Sequence, residues 1–152
     1  MSKPKTQAQL DRATDLRLRK TYNISLADYE YLLEQKGGVC WITGRPPTGN
    51  RLHVDHDHSW KKVKIETGKH EDKWSASAKY NGNVYICIDP KKSLAVKDVK
   101  RQLLRASVRG LIGYSVNAGL QKFSDNPVWL REAAAYLENH ENQNPLSGRE
   151  IE

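Results

Sequence analysis

The chain has 152 residues, a length that suits one compact domain with an appendage or two rather than two independent cores. Charged residues make up 28% of it and the formal net charge is +7, which favours a polyanionic partner held through phosphate contacts, though a basic protein with no nucleic-acid role shares that balance. Two cysteines, Cys40 and Cys87, cannot build a disulfide framework or a four-thiolate zinc site, and no apolar run approaches the roughly 18 residues of a spanning helix. With a polar N-terminus that lacks a signal-peptide core, the expected setting is a reducing cytoplasm and two ordinary thiols.

Residues 1–20 carry Lys3, Lys5, Arg12, Arg17, Arg19 and Lys20 with few large apolar side chains. They read as a basic arm, helical from Gln7, that is either a solvated extension or one that wraps phosphates or a partner. Ser25 and Asp28 form a capping-box pattern, and Leu26, Tyr29, Leu32 and Leu33 recur at helical spacing until Gly37-Gly38 ends the run. Val39 to Ile42 is a short apolar segment, and residues 44–49 are a loop. Leu52 to His58 starts with strand-like alternation and ends densely polar. Between about 61 and 105 the pattern becomes that of an insertion. Trp74, Ala76, Ala78 and Tyr80 alternate, Asn81-Gly82 signals a two-residue hairpin turn, and Val84, Tyr85, Ile86 and Ile88 return as a strand. Val96 to about Leu104 is expected as a basic helix and Asn117 to Lys122 as a short one. Asn126 caps a last helix with Pro127 at its first position, and Leu130, Ala133, Ala134 and Leu137 are its expected buried face. Residues 142–152 read as a flexible tail.

The segment His53-Val54-Asp55-His56-Asp57-His58 packs five ligand or acid-base side chains into six residues. Along a regular strand, His53, Asp55 and Asp57 face one way and His56 and His58 the other. A turn or twist must therefore fall inside the motif if Asp55 and His56 are to act together. An adjacent Asp and His can hydrolyse a phosphodiester when the carboxylate holds a hard divalent ion against a phosphate oxygen and the imidazole accepts a proton from water. Magnesium or manganese suits such oxygen-rich coordination. His-Asp clusters also serve as structural zinc sites, as turn-ordering surface loops and as accidental metal binders, and the hexapeptide alone leaves all of these open.

The order of the pieces resembles the phage recombination endonuclease VII family. The pieces are the helix at Tyr22 to Glu34, the turn from Gly37 to Gly44, Val54-Asp55-His56-Asp57-His58, the segment Val108 to Asn117, and the helix region Asp125 to Glu138. The resemblance implies an α+β, ββα-metal (His-Me finger, HNH) nuclease core over residues 21–141 with flanking helices and the inserted β-hairpin. It implies a metal-dependent DNA endonuclease that works with Mg2+ or Mn2+, with a Holliday-junction or branched-DNA resolvase as the family's suggestion for its substrate. By the same resemblance Asp55 and Asn117 would be metal ligands, His56 the general base, and His53 a phosphate contact or support. Asp57 and His58 would have supporting roles around them. Paired cuts imply a homodimer, for which the N-terminal arm and first helix are candidates, and a phage-encoded protein would act in the host cytoplasm. The family's two CxxC pairs, which bind zinc, read here as Cys40 with Thr43 and Gly113 with Val116. Three of four thiolates are absent, so no structural zinc is expected, and apolar packing among Trp41, Ile42, Leu111, Ile112 and Val116 would take its place.

Lys97, Lys100, Arg101, Arg105 and Arg109 are the expected DNA contacts, against the alternative of a solvated helix face. Trp41, Trp60, Trp74 and Trp129 are read as core anchors rather than base-stacking groups. The competing function is a non-catalytic DNA-binding protein that keeps the nuclease fold. An enzyme using the cluster for another hydrolysis fits the basic charge less well.

Overall fold

A computed structural model describes residues 3–140, the side chain of His140 excepted; the expected flexible tail lies outside the described residues. The architecture is α+β, with helices and two small antiparallel sheets. It divides into two compact units, the first ending at Ile112 and the second beginning at Gly113.

The first unit opens with α1 (Gln7–Tyr22) and α2 (Leu26–Gln35). Both begin on capping boxes, Thr6 with Gln9 and Ser25 with Asp28, which satisfy amides left without intrahelical partners. Most of the basic arm is thus a helix. The corner between the helices is tied by Asp15, which accepts from Arg19 at 2.7 Å and from the Leu26 amide at 2.8 Å. Tyr29, buried in α2, donates its hydroxyl to the Leu52 carbonyl at 2.8 Å and so fixes α2 to the chain entering the first strand.

That strand, β1 (His53–His56), pairs antiparallel with β5 (Val108–Ile112), more than fifty residues away in sequence. Between them lie a 3-10 turn (His58–Lys62), then β2 (Glu66–His70), β3 (Lys73–Tyr80), β4 (Asn83–Asp89) and α3 (Lys92–Ala106). The expected hairpin is therefore the β3–β4 part of a three-stranded sheet in the order β2-β3-β4. Asn81 and Gly82 both take positive φ, 48° and 78°, as a two-residue turn of the mirror-image type demands. β2 went unread because Glu66-Thr67-Gly68-Lys69-His70 holds no large apolar residue, and its turn is closed by Glu71 at φ 56° rather than by a glycine.

α3 starts earlier and ends later than its sequence pattern indicated, and it covers one face of this sheet. Ala95, Val99 and Leu103, spaced one helical turn apart, meet Ala76, Ala78 and Tyr80 of β3, giving the insertion a core of its own where the chain length suggested a single one. The alanines let helix and sheet approach closely.

The turn from Gly38 to Gly44 closes through backbone bonds, Cys40 N–H to the Arg45 carbonyl and Gly44 N–H to the Cys40 carbonyl, both 2.9 Å. Trp41 donates its amide to the Leu111 carbonyl at 3.0 Å and lays its ring on Gly110, where an added Cβ would fall 2.5 Å from the ring. Leu111 and Ile112 are buried as expected, but Ile42 is exposed, so this packing rests on Trp41 and not on Ile42. Cys40 is buried, Cys87 half-buried, and neither is in a disulfide.

The second unit holds α4 (Tyr114–Lys122) and α5 (Pro127–His140). Asn126 caps α5 as expected, its side-chain oxygen accepting from the Val128 and Trp129 amides at 2.9 and 3.3 Å. The expected buried face of α5 is corrected in part: Leu130 and Ala133 are half-buried, whereas Ala134 is exposed and Leu137 is 69% exposed. Trp129 is 54% exposed and is not a core anchor, while Trp41, Trp60 and Trp74 are half-buried. No helix among the described residues is long and apolar enough to cross a membrane.

Gly110→Ala is expected to destabilise the protein by about 1–3 kcal/mol, the usual cost of overpacking. The cost should shrink in a Trp41→Ala background. Denaturant unfolding of the four proteins checks this, and an equal cost in both backgrounds would dismiss the ring contact as the reason.

Candidate active site

β1 and β5 are matched in the register His53 with Ile112, Val54 with Leu111 and Asp55 with Gly110, and then His56 with Val108. The shift makes Arg109 an additional residue in β5 opposite the Asp55-His56 step. A bulge of this kind bends and twists the ladder and re-aims side chains. It falls at the step where the sequence requires a break in strand alternation.

Asp55 is 8% exposed, and both of its oxygens accept from Arg109: Nε donates to Oδ2 at 2.8 Å and Nη2 to Oδ1 at 2.9 Å. Such a side-on fork is the strong, directional form of the ion pair. Arg109, expected among the DNA contacts, thus lies on the expected metal ligand.

His56 is half-buried, with the Tyr22 ring edge-on at 5.3 Å and the His58 ring at 4.4 Å between centroids. Burial, chiefly, holds its pKa below the ordinary 6.5, helped by its neighbours His58, Lys61 and Arg109 and opposed by the Asp55 carboxylate. A neutral imidazole at neutral pH is the form that accepts a proton.

Asp57 turns away from this pair. It caps the 3-10 turn, accepting from the Ser59 amide at 2.9 Å and from the Ser59 hydroxyl, and it also takes the Tyr80 hydroxyl at 2.7 Å. The Ser59 hydroxyl first, then the Ser59 amide and Tyr80, lower its pKa from 3.8 to about 2. Its own amide donates to the Ser107 carbonyl at 2.9 Å, just beyond α3. The insertion therefore holds the chain immediately after His56 at two points.

His53 is half-buried and lines a cleft of about 320 Å³ together with Arg17, Tyr22 and Arg51. Sequence reasoning missed Tyr22, Arg51 and Tyr80 at this end of the unit. Tyr22 and Tyr80 reach it from distant segments, Arg51 stands only two residues before His53, and an isolated tyrosine or arginine carries no local signal of such a role. Asn117 belongs to the second unit, on α4, where its amide donates to the Gly113 carbonyl at 2.9 Å in the first turn.

Of the remaining expected DNA contacts, Lys97 and Lys100 are exposed on α3. Arg101 donates to the Asn23 side-chain oxygen at 2.8 Å, and Arg105 forks onto Asp28 at 2.6 and 2.8 Å while reaching the Asn23 carbonyl at 3.2 Å. The Arg105 guanidinium holds the Asp28 carboxyl well below the usual carboxylate range. These two arginines tie α3 to the corner between α1 and α2.

Among the described residues no three His, Cys, Asp or Glu side chains gather into a metal-holding group. A structural zinc takes four N or S ligands and is poorly matched by what surrounds Asp55. A hard cation that uses one or two carboxylates, with water and substrate phosphate completing its shell, is compatible with Asp55 once its oxygens are released.

A strand ending in a buried aspartate and a neutral histidine, bulged against a second strand that leads into a helix, has the makings of phosphodiester chemistry. The sequence model of the recombination endonuclease VII family matches residues 15–139, and the chain belongs to that family. Neither the curated proteins nor the solved structures give a match.

Two titrations check the electrostatics. His56 in the metal-free protein should titrate below 6.5 in an NMR experiment; a value above that would mean that Asp55 outweighs burial. Because the folded pKa of Asp57 is depressed, its stabilising contribution is present above 3.8 and is lost as pH falls towards 2. Asp57→Asn should lower stability at neutral pH and converge with the parent protein below about pH 2, read by unfolding over a pH series.

Proposed function

We propose that the protein is a metal-dependent DNA endonuclease with a ββα-metal active site, acting on duplex or branched DNA. The observation that carries the reading is the Asp55-His56 pair at the β1–β5 bulge, with His56 held neutral, in a chain of this family. The chain order β1, β5, α4 is the order of a ββα-metal core.

Asp55 and Asn117 are the proposed ligands of one Mg2+ or Mn2+, joined by water and phosphate oxygens. Such an ion would stabilise charge developing on the phosphate. His56 takes the proton from the attacking water, a role that requires the unprotonated ring its burial favours. Tyr22 and His58 restrict how that ring can turn. His53, which lines a cleft with Arg17 and Arg51, is the proposed phosphate contact or support, with supporting roles proposed for Asp57, which caps the turn, and for His58, whose ring lies against His56. Lys97 and Lys100 supply phosphate contacts that carry no sequence information.

A resolvase of DNA junctions needs two active sites, and a homodimer is part of the proposal. The exposure of Leu10 and Leu16 on α1 and of Tyr31 on α2 supports a partner surface there. The second reading, a non-catalytic DNA-binding protein, draws on the Arg109 fork that fills both oxygens of Asp55.

Incubation with branched, nicked and linear DNA, with Mg2+ and with chelator, separates the two. Cleavage should require the cation, and His56→Ala should cut turnover by roughly a hundredfold or more while leaving DNA binding in place. DNA binding without cleavage under every metal condition would establish the non-catalytic reading.

A further inference from the structure

We infer that Arg109 is a positioning residue that competes with the divalent cation for Asp55, so that the cation site exists only when the guanidinium has moved off the carboxylate. The inference rests on the reading of Asp55 as a metal ligand.

Three observations lead to it. The carboxylate is almost fully buried and its two oxygens are both engaged by one fork, so a cation cannot take the same bidentate position while the fork is closed. A doubly charged cation and a guanidinium on one buried carboxylate would also repel each other where solvent screens poorly. Arg109, in contrast, has somewhere to go. Its side chain is 40% exposed, and as the additional residue of a bulge it sits where the ladder is locally disrupted. Swinging off Asp55 breaks the two hydrogen bonds of the fork, which water can replace on the guanidinium. Displaced from Asp55, the arginine can present the same fork to a phosphate, whose oxygens it matches as well as it matches a carboxylate. The pair also settles the resting state: without cation, Arg109 neutralises a buried negative charge that would otherwise be costly to leave unpaired.

The direction of the effect distinguishes this role from a supporting one. A residue that merely orients Asp55 would weaken cation binding when removed, whereas a competitor would strengthen it. Mn2+ binding should be measured by calorimetry and by electron paramagnetic resonance on the intact protein without DNA. The set is the parent protein, Arg109→Gln, Arg109→Lys and Asp55→Asn, with circular dichroism confirming the fold of each.

Arg109→Gln is expected to bind Mn2+ roughly tenfold more tightly, the scale of one half-exposed charge-assisted bidentate pair. Arg109→Lys, a point charge without the fork, should fall between it and the parent, and Asp55→Asn should lose the site. Unchanged or weaker binding in Arg109→Gln, with loss in Asp55→Asn, overturns the competition and leaves Asp55 as a ligand. Binding unaffected by Asp55→Asn overturns the metal-site reading and the inference with it. Should Arg109→Gln unfold, Arg109→Lys alone decides, since tighter binding than in the parent is the only result compatible with competition.

Discussion

The pairing of β1 with β5 sets the terms for the rest of the first unit. Neighbouring strands lie about 4.8 Å apart, so a chain that leaves β1 after His56 and rejoins the ladder at Val108 must depart and return at almost the same point. The neck is closed by the Asp57 amide on the Ser107 carbonyl, with Tyr80 of β3 on the Asp57 carboxylate. Everything between is obliged to fold as a closed excursion. It does so by burying Ala76, Ala78 and Tyr80 under Ala95, Val99 and Leu103, independently of the β1–β5 pair. An insertion with its own core can sit next to a site without disturbing it. Here it also restrains the site, because Tyr80 within it and Ser107 at its end both bind Asp57, the residue after His56.

At the same ladder, Trp41 does what bound metal does in small domains, which is to fix a turn against a strand. A metal knuckle achieves this with four directional ligands. Trp41 achieves it with a flat ring seated on a position that has no Cβ and a single backbone bond to Leu111. Gly110 is the register partner of Asp55, so the ring covers the residue directly across the ladder from the buried carboxylate. The packing that holds the turn and the packing that places Asp55 are therefore one contact apart.

Elements whose signals are local were legible in the sequence. The Ser25 capping box, the Asn81-Gly82 turn and the Asn126-Pro127 start each depend on a few adjacent residues, and each is where its residue types required. The need for a twist inside the Asp55-His56 step was also legible, because strand alternation alone separates those side chains. The device that provides it was not. β5 reads Val-Arg-Gly-Leu-Ile, and its additional residue destroys the period by which a strand is recognised. The partners of the motif were hidden for a related reason: Tyr22, Tyr80 and Arg109 reach it from other segments, and nothing in a linear pattern joins them to residues 53–58.

Charge shows the same division between what composition states and what geometry decides. A net charge of +7 points to a polyanion but does not say which cations face it. In this chain Arg101, Arg105 and Arg109 are committed to oxygen atoms of Asn23, Asp28 and Asp55, while Lys97 and Lys100 stand exposed on the same helix as the first two. The physical basis is the difference between the two side chains. A guanidinium fork matches carboxylate and carbonyl oxygens, and its weaker hydration makes leaving water less costly; an ammonium is a compact, strongly hydrated charge that gains little from such a fit. An arginine therefore tends to be drawn into the fold where a carboxylate is half-buried nearby, as Arg105 is by Asp28, while Lys97 and Lys100 stay in solvent. Arg109 combines both behaviours, being committed to a carboxylate in the resting state while its side chain stays within reach of solvent.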